Sequence, residues 1–237
     1  MHPIARARSA GTFVVIPAIA YGSQLALGAL GVTLVYGILR FSNFEHGDTM
    51  AFGTMVAILF TWWFQSIGVS IAPLPTALLA LPIAIVVTAA LLLGTDRVVL
   101  RFYRKQKSAP VILLIVSLGI MFVYNGLVRF IIGVGDQRFS DGARFIISAR
   151  DFKKLTGLDE GLAIKTTQVI TVITAVLVVA ILFWFLNRTR TGKSMRAFSD
   201  NEDLALLSGI NPERVVLYTW LIVAALATIA VSYTHLR

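Results

Sequence analysis

Long uncharged apolar runs alternate with short charged segments along this chain. No charged residue lies between Arg8 and Arg40, and none lies between Asp48 and Asp96. A helix that crosses a bilayer needs about 20 mostly apolar residues. Six runs have that character, over 12–39, 49–67, 76–94, 109–128, 166–186 and 215–233. They predict an all-α fold: one polytopic transmembrane helix bundle forming a single transmembrane domain. The first run is longer than one perpendicular crossing, which predicts a tilted or broken helix. Its Gly22, Gly28, Gly31 and Gly37, interleaved with Ala18, Ala26 and Ala29, allow close helix packing in lipid. Trp62 and Trp63, and later Phe183-Trp184-Phe185, sit near run ends, where aromatic side chains favour the membrane–water interface. Pro82 predicts a kink in the third run. Asn125 lies inside the fourth, where an interhelical hydrogen bond is its ordinary use, and Arg129 near that run's end can snorkel outward.

The start of the chain mimics a signal peptide, since Arg6 and Arg8 precede an apolar stretch and Ala18-Ile19-Ala20 resembles a cleavage site. The uncharged run continues to Leu39, far beyond an apolar signal region of about 7–15 residues. A first crossing helix is therefore expected.

Charge orients the runs. Asp96–Lys107 carries five basic residues against one acid, and Asn187–Arg214 carries Arg188, Arg190, Lys193 and Arg196 in its first half. Both read as cytoplasmic loops by the positive-inside tendency. Asp136–Lys165 is nearly balanced in sign and should be external. Three crossings before Asp96 then place Arg6 and Arg8 outside, against the same tendency. The whole chain of 237 residues is 57% hydrophobic and only 14% charged, with a mean hydropathy of +0.81. A soluble domain is about one quarter charged. The net charge of +9 lies between apolar runs, so the partner it predicts is anionic lipid and not nucleic acid. With no cysteine, disulfides and thiolate metal sites are excluded.

Two segments carry candidate chemistry. In Ser42-Asn43-Phe44-Glu45-His46-Gly47-Asp48, two carboxylates and a histidine interrupt the apolar pattern. Ionisable groups near membrane depth are costly and usually functional. Gly47 allows an irregular backbone, tolerated there only against protein or water. Asn43, with a helix N-terminus beginning near Asp48, could offer polar groups to a zwitterionic solute. The plainer alternative is that Asn43 and His46 cap helix ends and hold two spans together. In the second segment, Asp200 is expected to cap a short helix beginning at Asn201, with Glu202 and Asp203 at its positive end. Gly209 stops that helix and Asn211-Pro212 starts the next element. It lies across the membrane surface, either as an interfacial helix or as a docking surface for a soluble partner.

Three stretches together resemble the permease subunits of branched-chain amino acid ABC transporters of the high-affinity bacterial import type. Gly28–Gly47 is similar to a glycine-rich first helix leading into an Asn-Phe-Ala-His-Gly motif, met here at Asn43, Phe44, Glu45, His46 and Gly47. The stretch from Arg97 to Gly126 matches the family's basic loop and following helix. Gly192–Arg214 resembles the loop that contacts the ATPase, with Arg196, Ala197, Asp200, Ala205, Gly209, Ile210, Asn211 and Pro212 in place. Glu45 departs from the family's alanine and puts an unchanged substrate preference in question. Family members continue past this C-terminus, so the resemblance implies a truncated chain, with residues 231–237 foreign to the gene.

The resemblance implies a multi-pass subunit in the bacterial inner membrane that does no chemistry itself and binds no cofactor. Its implied partners are a second homologous permease, two ATPase subunits that use ATP, and an extracytoplasmic substrate-binding protein. In agreement, no Gly-x-x-x-x-Gly-Lys-Ser/Thr loop occurs. Asn43, Phe44, Glu45, His46 and Gly47 would line the substrate pathway, and Arg196, Ala197, Asp200, Ala205, Gly209 and Ile210 would couple to the ATPase. The rival class is an ion- or proton-coupled carrier with Glu45, His46 and Asp48 as relay. A metal enzyme is disfavoured, because His2, His46 and His235 are too scattered to supply three ligands.

Overall fold

The computed structural model describes residues 15–68, 77–135, 145–147 and 164–232. Arg6, Arg8, most of 136–165 and residues 233–237 lie outside them, as do the expectations placed there.

Six long helices dominate. Helix α1 is Ile16–Leu39, α2 is His46–Ser66, α3 is Ala77–Thr95, α5 is Pro110–Ile132, α6 is Thr166–Arg188 and α9 is Pro212–Ser232. Among the described residues, five helical stretches are long and apolar enough to cross a membrane: Pro17–Leu39, Leu78–Lys105, which runs past the end of α3, Pro110–Ile132, Val169–Arg188 and Pro212–Ala230. The exception is α2, which is less apolar because it works inside the bundle. Its face of Phe52, Met55, Val56 and Ala57 is buried against Ala84 of α3. Helix α9 is the other central element, packing on α1, α2 and α3. Around its fully buried Trp220 and Val223 gather Val35, Leu92, Leu100, Ile120 and Tyr124. Helix α6 is peripheral and leans chiefly on α1. The fold is therefore an all-α polytopic bundle. Its described β-structure is one antiparallel pair, β1 (Phe145–Ile147) with β2 (Ile164–Lys165).

Helix α1 runs unbroken, so the excess length of the first apolar run does not break it. The basic segment after α3 is not a loop. A π-helical turn, Asp96–Leu100, continues directly into α4, Arg101–Lys105. Nothing in Asp96–Lys105 is glycine or proline, so the helix continues, with Arg97 and Lys105 exposed. Pro82 lies inside α3.

The segment between α6 and α9 holds two helices rather than one, α7 (Arg190–Asp200) and α8 (Glu202–Leu207). Asp200 is not the cap; it is the last residue of α7. Asn201 separates the helices, with extended backbone, and its Oδ1 accepts the Leu204 amide at 3.0 Å. The carboxamide next to Asp200 does the capping because it stands one residue closer to the first free amides. Asn201→Ala should cost the cap about 1 kcal/mol, read as roughly fivefold faster amide exchange at Leu204, while Asn201→Ser retains most of the protection.

Candidate functional site

The site is fixed from the Arg40 end of α1 upward. Arg40 closes α1 in the left-handed region, with φ +57°. Its guanidinium donates to the carbonyls of Ser199, at 2.5 Å, and Asp200, at 3.2 Å. Ser199 Oγ donates back to the Gly37 carbonyl at 2.6 Å. These bonds seat the end of α1 on α7 and offset the ~1–2 kcal/mol that left-handed backbone costs a side-chain-bearing residue.

From Arg40 the chain turns back into the bundle. His46 Nε2–H donates to the Gly28 carbonyl across 3.1 Å; a carbonyl only accepts, which settles which ring nitrogen carries the proton. Gly28 stands eleven residues before Leu39, about 17 Å up the helix at 1.5 Å per residue. Helix α2 therefore begins beside the middle of α1, at His46 and not at Asp48, and residues 40–45 run back to reach it.

That return sorts the five pathway candidates into two groups. Asn43, Glu45 and His46 are buried, whereas Phe44 is 50% exposed and Gly47 is also exposed. Asn43 makes a reciprocal turn: its Oδ1 accepts the Glu45 amide at 3.1 Å and its Nδ2 donates to Glu45 Oε1 at 3.3 Å. Thr49 Oγ1 donates to the Glu45 carbonyl at 3.0 Å, closing the first turn of α2. The Phe44 amide donates to Ser117 Oγ of α5 at 3.2 Å. Gly31 leaves the space that the His46 ring fills; a Cβ there would lie 2.5 Å from His46 Cε1. Glu45 Oε2 and His46 Nδ1 are buried without a hydrogen-bond partner.

His46 thus ties the start of α2 to α1 and Asn43 braces the turn at Glu45, while Phe44 and Gly47 present the outer edge of the break. Asp48 accepts from Asn125 Nδ2 of α5 at 2.8 Å, an interhelical bond. Glu45, His46 and Asp48 therefore turn to three different partners and do not form a contiguous relay. Among the described residues, no three of His, Asp or Glu converge as metal ligands.

Sequence reasoning missed a second polar node. Asp96 is buried in the π turn, where Arg104 grips both its oxygens and Trp220 Nε1 donates to Oδ1 at 2.8 Å. At the preceding residue, Thr95 shares a 2.6 Å hydrogen bond with Tyr124 of α5. A π turn takes an extra residue, so Arg104, eight positions on, falls where the seventh residue of an α-helix would, on the same face as Asp96. The lone acid in a basic segment was the one available signal.

The coupling candidates divide in the same way. Ala205 is buried under α8 with Ile38, Met195, Phe198 and Val215, and Ile210 packs against that cluster. Gly209, with φ +80°, ends the helix: its amide bonds to the Leu206 carbonyl and that of Ile210 to the Ala205 carbonyl, both at 3.0 Å. Arg196, Ala197 and Asp200 are exposed, and Arg196 Nη1 donates to Asn187 Oδ1 at 2.9 Å. Sequence inspection did not single out the outer face of α8, where Leu204 is 61% and Leu207 85% exposed.

Comparison with known proteins follows this geometry. A family described as "Branched-chain amino acid transport system / permease component" matches residues 15–233. The chain is 30% identical over 210 residues to the high-affinity branched-chain amino acid transport system permease protein BraD of Pseudomonas aeruginosa, covering 88% of this chain and 66% of that protein. It is 29% identical over 212 residues to the corresponding LivH of Salmonella typhimurium, covering 88% and 65%. A probable branched-chain amino acid transport permease protein LivH of Methanocaldococcus jannaschii is 29% identical over 219 residues, covering 90% and 62%. The chain spans just under two thirds of the length of these relatives. No solved structure matches it significantly.

Proposed function

We propose a function that starts from descent: the chain belongs to the family of branched-chain amino acid transport system permease components. It is a multi-pass membrane protein, and we place it in the bacterial inner membrane as the translocating subunit of an ATP-driven importer for branched-chain or related amino acids. It hydrolyses nothing itself. Two ATPase subunits, a second permease and an extracytoplasmic binding protein complete the assembly. Each helix of 77–105, 110–132, 166–188 and 212–232 forms one crossing, as do α1 and α2.

One observation carries this function above all: a short helix whose back is buried and whose front offers bare leucines. Leu204 and Leu207 face outward from α8, while Ala205, Gly209 and Ile210 fix it to the bundle. Such a face fits a cleft on an ATPase. The bonds from Arg40 to Ser199 and Asp200 run from the α7–α8 corner to the end of α1. Movement of the docked helix would pass along them to the Asn43–Gly47 break as rigid-body motion. At the break, Phe44 and Gly47 form the solute-facing edge. The first-turn amides of α2 supply donors for a solute carboxylate. Glu45, buried behind that edge, acts on the solute through Asn43 and the turn and not by direct contact.

The test uses the full-length protein with its ATPases. Leu207→Asp changes a side chain that is 85% exposed among the described residues. ATP-driven uptake should fall about tenfold, within the usual range of coupling energies, with helix content and membrane insertion unchanged. Gly209→Leu, which strains a left-handed residue, should uncouple hydrolysis from uptake. Unchanged uptake in both variants would remove the coupling role.

A further inference from the structure

A broad groove lies away from the break. It runs between the outer faces of α1 and α6, with a volume of about 760 Å³. Small residues on both helices open it: Ser23 and Ala26 on α1, Ala175 and Ala180 on α6. Its walls are almost wholly apolar until Trp184, Asn187 and Arg188 at one end. From Ala175 to Arg188 the helix rises about 20 Å. One leaflet, including its headgroup region, is about as deep.

The polar end of this groove is strongly basic. Arg188, Arg190, Lys193 and Arg196 are all exposed there or just beyond. The ion pairs between described residues join Arg101 to Glu213 and Arg104 to Asp96, so none neutralises these four. By the positive-inside tendency this end faces the cytoplasm, the side on which the leaflet is rich in anionic lipid. A helix from another protein, about 10 Å wide, would cover the apolar walls and leave the cations unanswered. A single phospholipid answers both features.

We propose that the α1–α6 groove is a binding site for one anionic phospholipid of the inner leaflet. An acyl chain lies along Ala26, Ala175 and Ala180, and the phosphate lies against Arg188 and its basic neighbours. The lipid fills the space beside α6, the long helix with the least protein around it, and so fixes α6 to α1.

Trp184 is 62% exposed and lines the groove, so it reports occupancy. The full chain is reconstituted in phosphatidylcholine vesicles containing, at one low mole fraction, either phosphatidylglycerol or phosphatidylcholine with brominated acyl chains. The contribution of Trp184 is the quenching that Trp184→Phe removes. Brominated phosphatidylglycerol should quench it more strongly than brominated phosphatidylcholine. Arg188→Gln should lower that preference about fivefold, the effect of one cation at an anionic surface. Ala26→Leu with Ala180→Leu should abolish the preference by filling the groove. Equal quenching by the two lipids in the unaltered chain would mean ordinary bulk lipid and overturn the site. Loss of quenching by both lipids once a second permease is present would mean that protein covers the groove, and would overturn it too.

Discussion

Asp96→Ala should destabilise the bundle by about 3–5 kcal/mol, the loss typical of removing one partner from a buried ion pair. Asp96 holds three helical segments: its own π turn, α4 through both guanidinium nitrogens of Arg104, and α9 through Trp220 Nε1. Arg104 has only 18% of its side chain exposed, so deleting the carboxylate strands a largely buried cation and leaves the indole N–H of Trp220 unpaired. Asp96→Asn keeps an acceptor for Trp220 but not the charge, and should fall between. Asp96→Leu combined with Arg104→Met should recover most of the loss, because well-packed apolar residues often replace a buried pair at little cost. Denaturant titration of the purified protein in detergent, followed by helical circular dichroism, measures all three. A loss below about 1 kcal/mol for Asp96→Ala would put the pair in the class of exposed salt bridges and remove its role as a lock.

What the sequence could reveal divides along physical lines. Apolar runs are a direct record of lipid contact, so the long helices appear within a few residues of where hydropathy alone puts them. Helix α2 carries the warning: it is buried by protein, needs less hydropathy, and its start could not be read from composition. A start near Asp48 follows from reading the whole polar stretch 42–48, with Gly47 in it, as a break between helices. The bond to Gly28 and the turn made by Asn43 are contacts that no local pattern encodes. Glu45 stood out as an added charge, yet only packing shows that it is enclosed behind the edge. Asp200 and Asn201 are both good caps by residue type, and backbone geometry chose between them. Asp96 was hidden more deeply, since its partner is eight residues along its own helix and its other contact is 124 residues away.

Gly31→Ala should be the sharpest probe of the break, because it sets one methyl group against one ring. The added Cβ would stand 2.5 Å from His46 Cε1 and 2.7 Å from Nε2, the atom bonded to Gly28. The ring cannot retreat without giving up that bond, and it sits at the first residue of α2, so the helix start must shift with it. Overpacking of this kind costs about 1–3 kcal/mol, and the lost hydrogen bond about 1 more. His46→Ala alone leaves a cavity over Gly31 and returns the Gly28 carbonyl to its intrahelical bond alone. Made together, the two changes should cost less than the sum of the separate losses by at least about 1 kcal/mol, the signature of groups in contact. The same detergent titration gives the four stabilities of this cycle. Strict additivity would mean that the ring does not fill the space over Gly31. Coupling with altered solute selectivity in the full-length importer would tie the point at which α2 starts to the placing of Phe44 and Gly47. Coupling with unchanged selectivity would leave Gly31 and His46 as a structural joint and move the pathway elsewhere along α2.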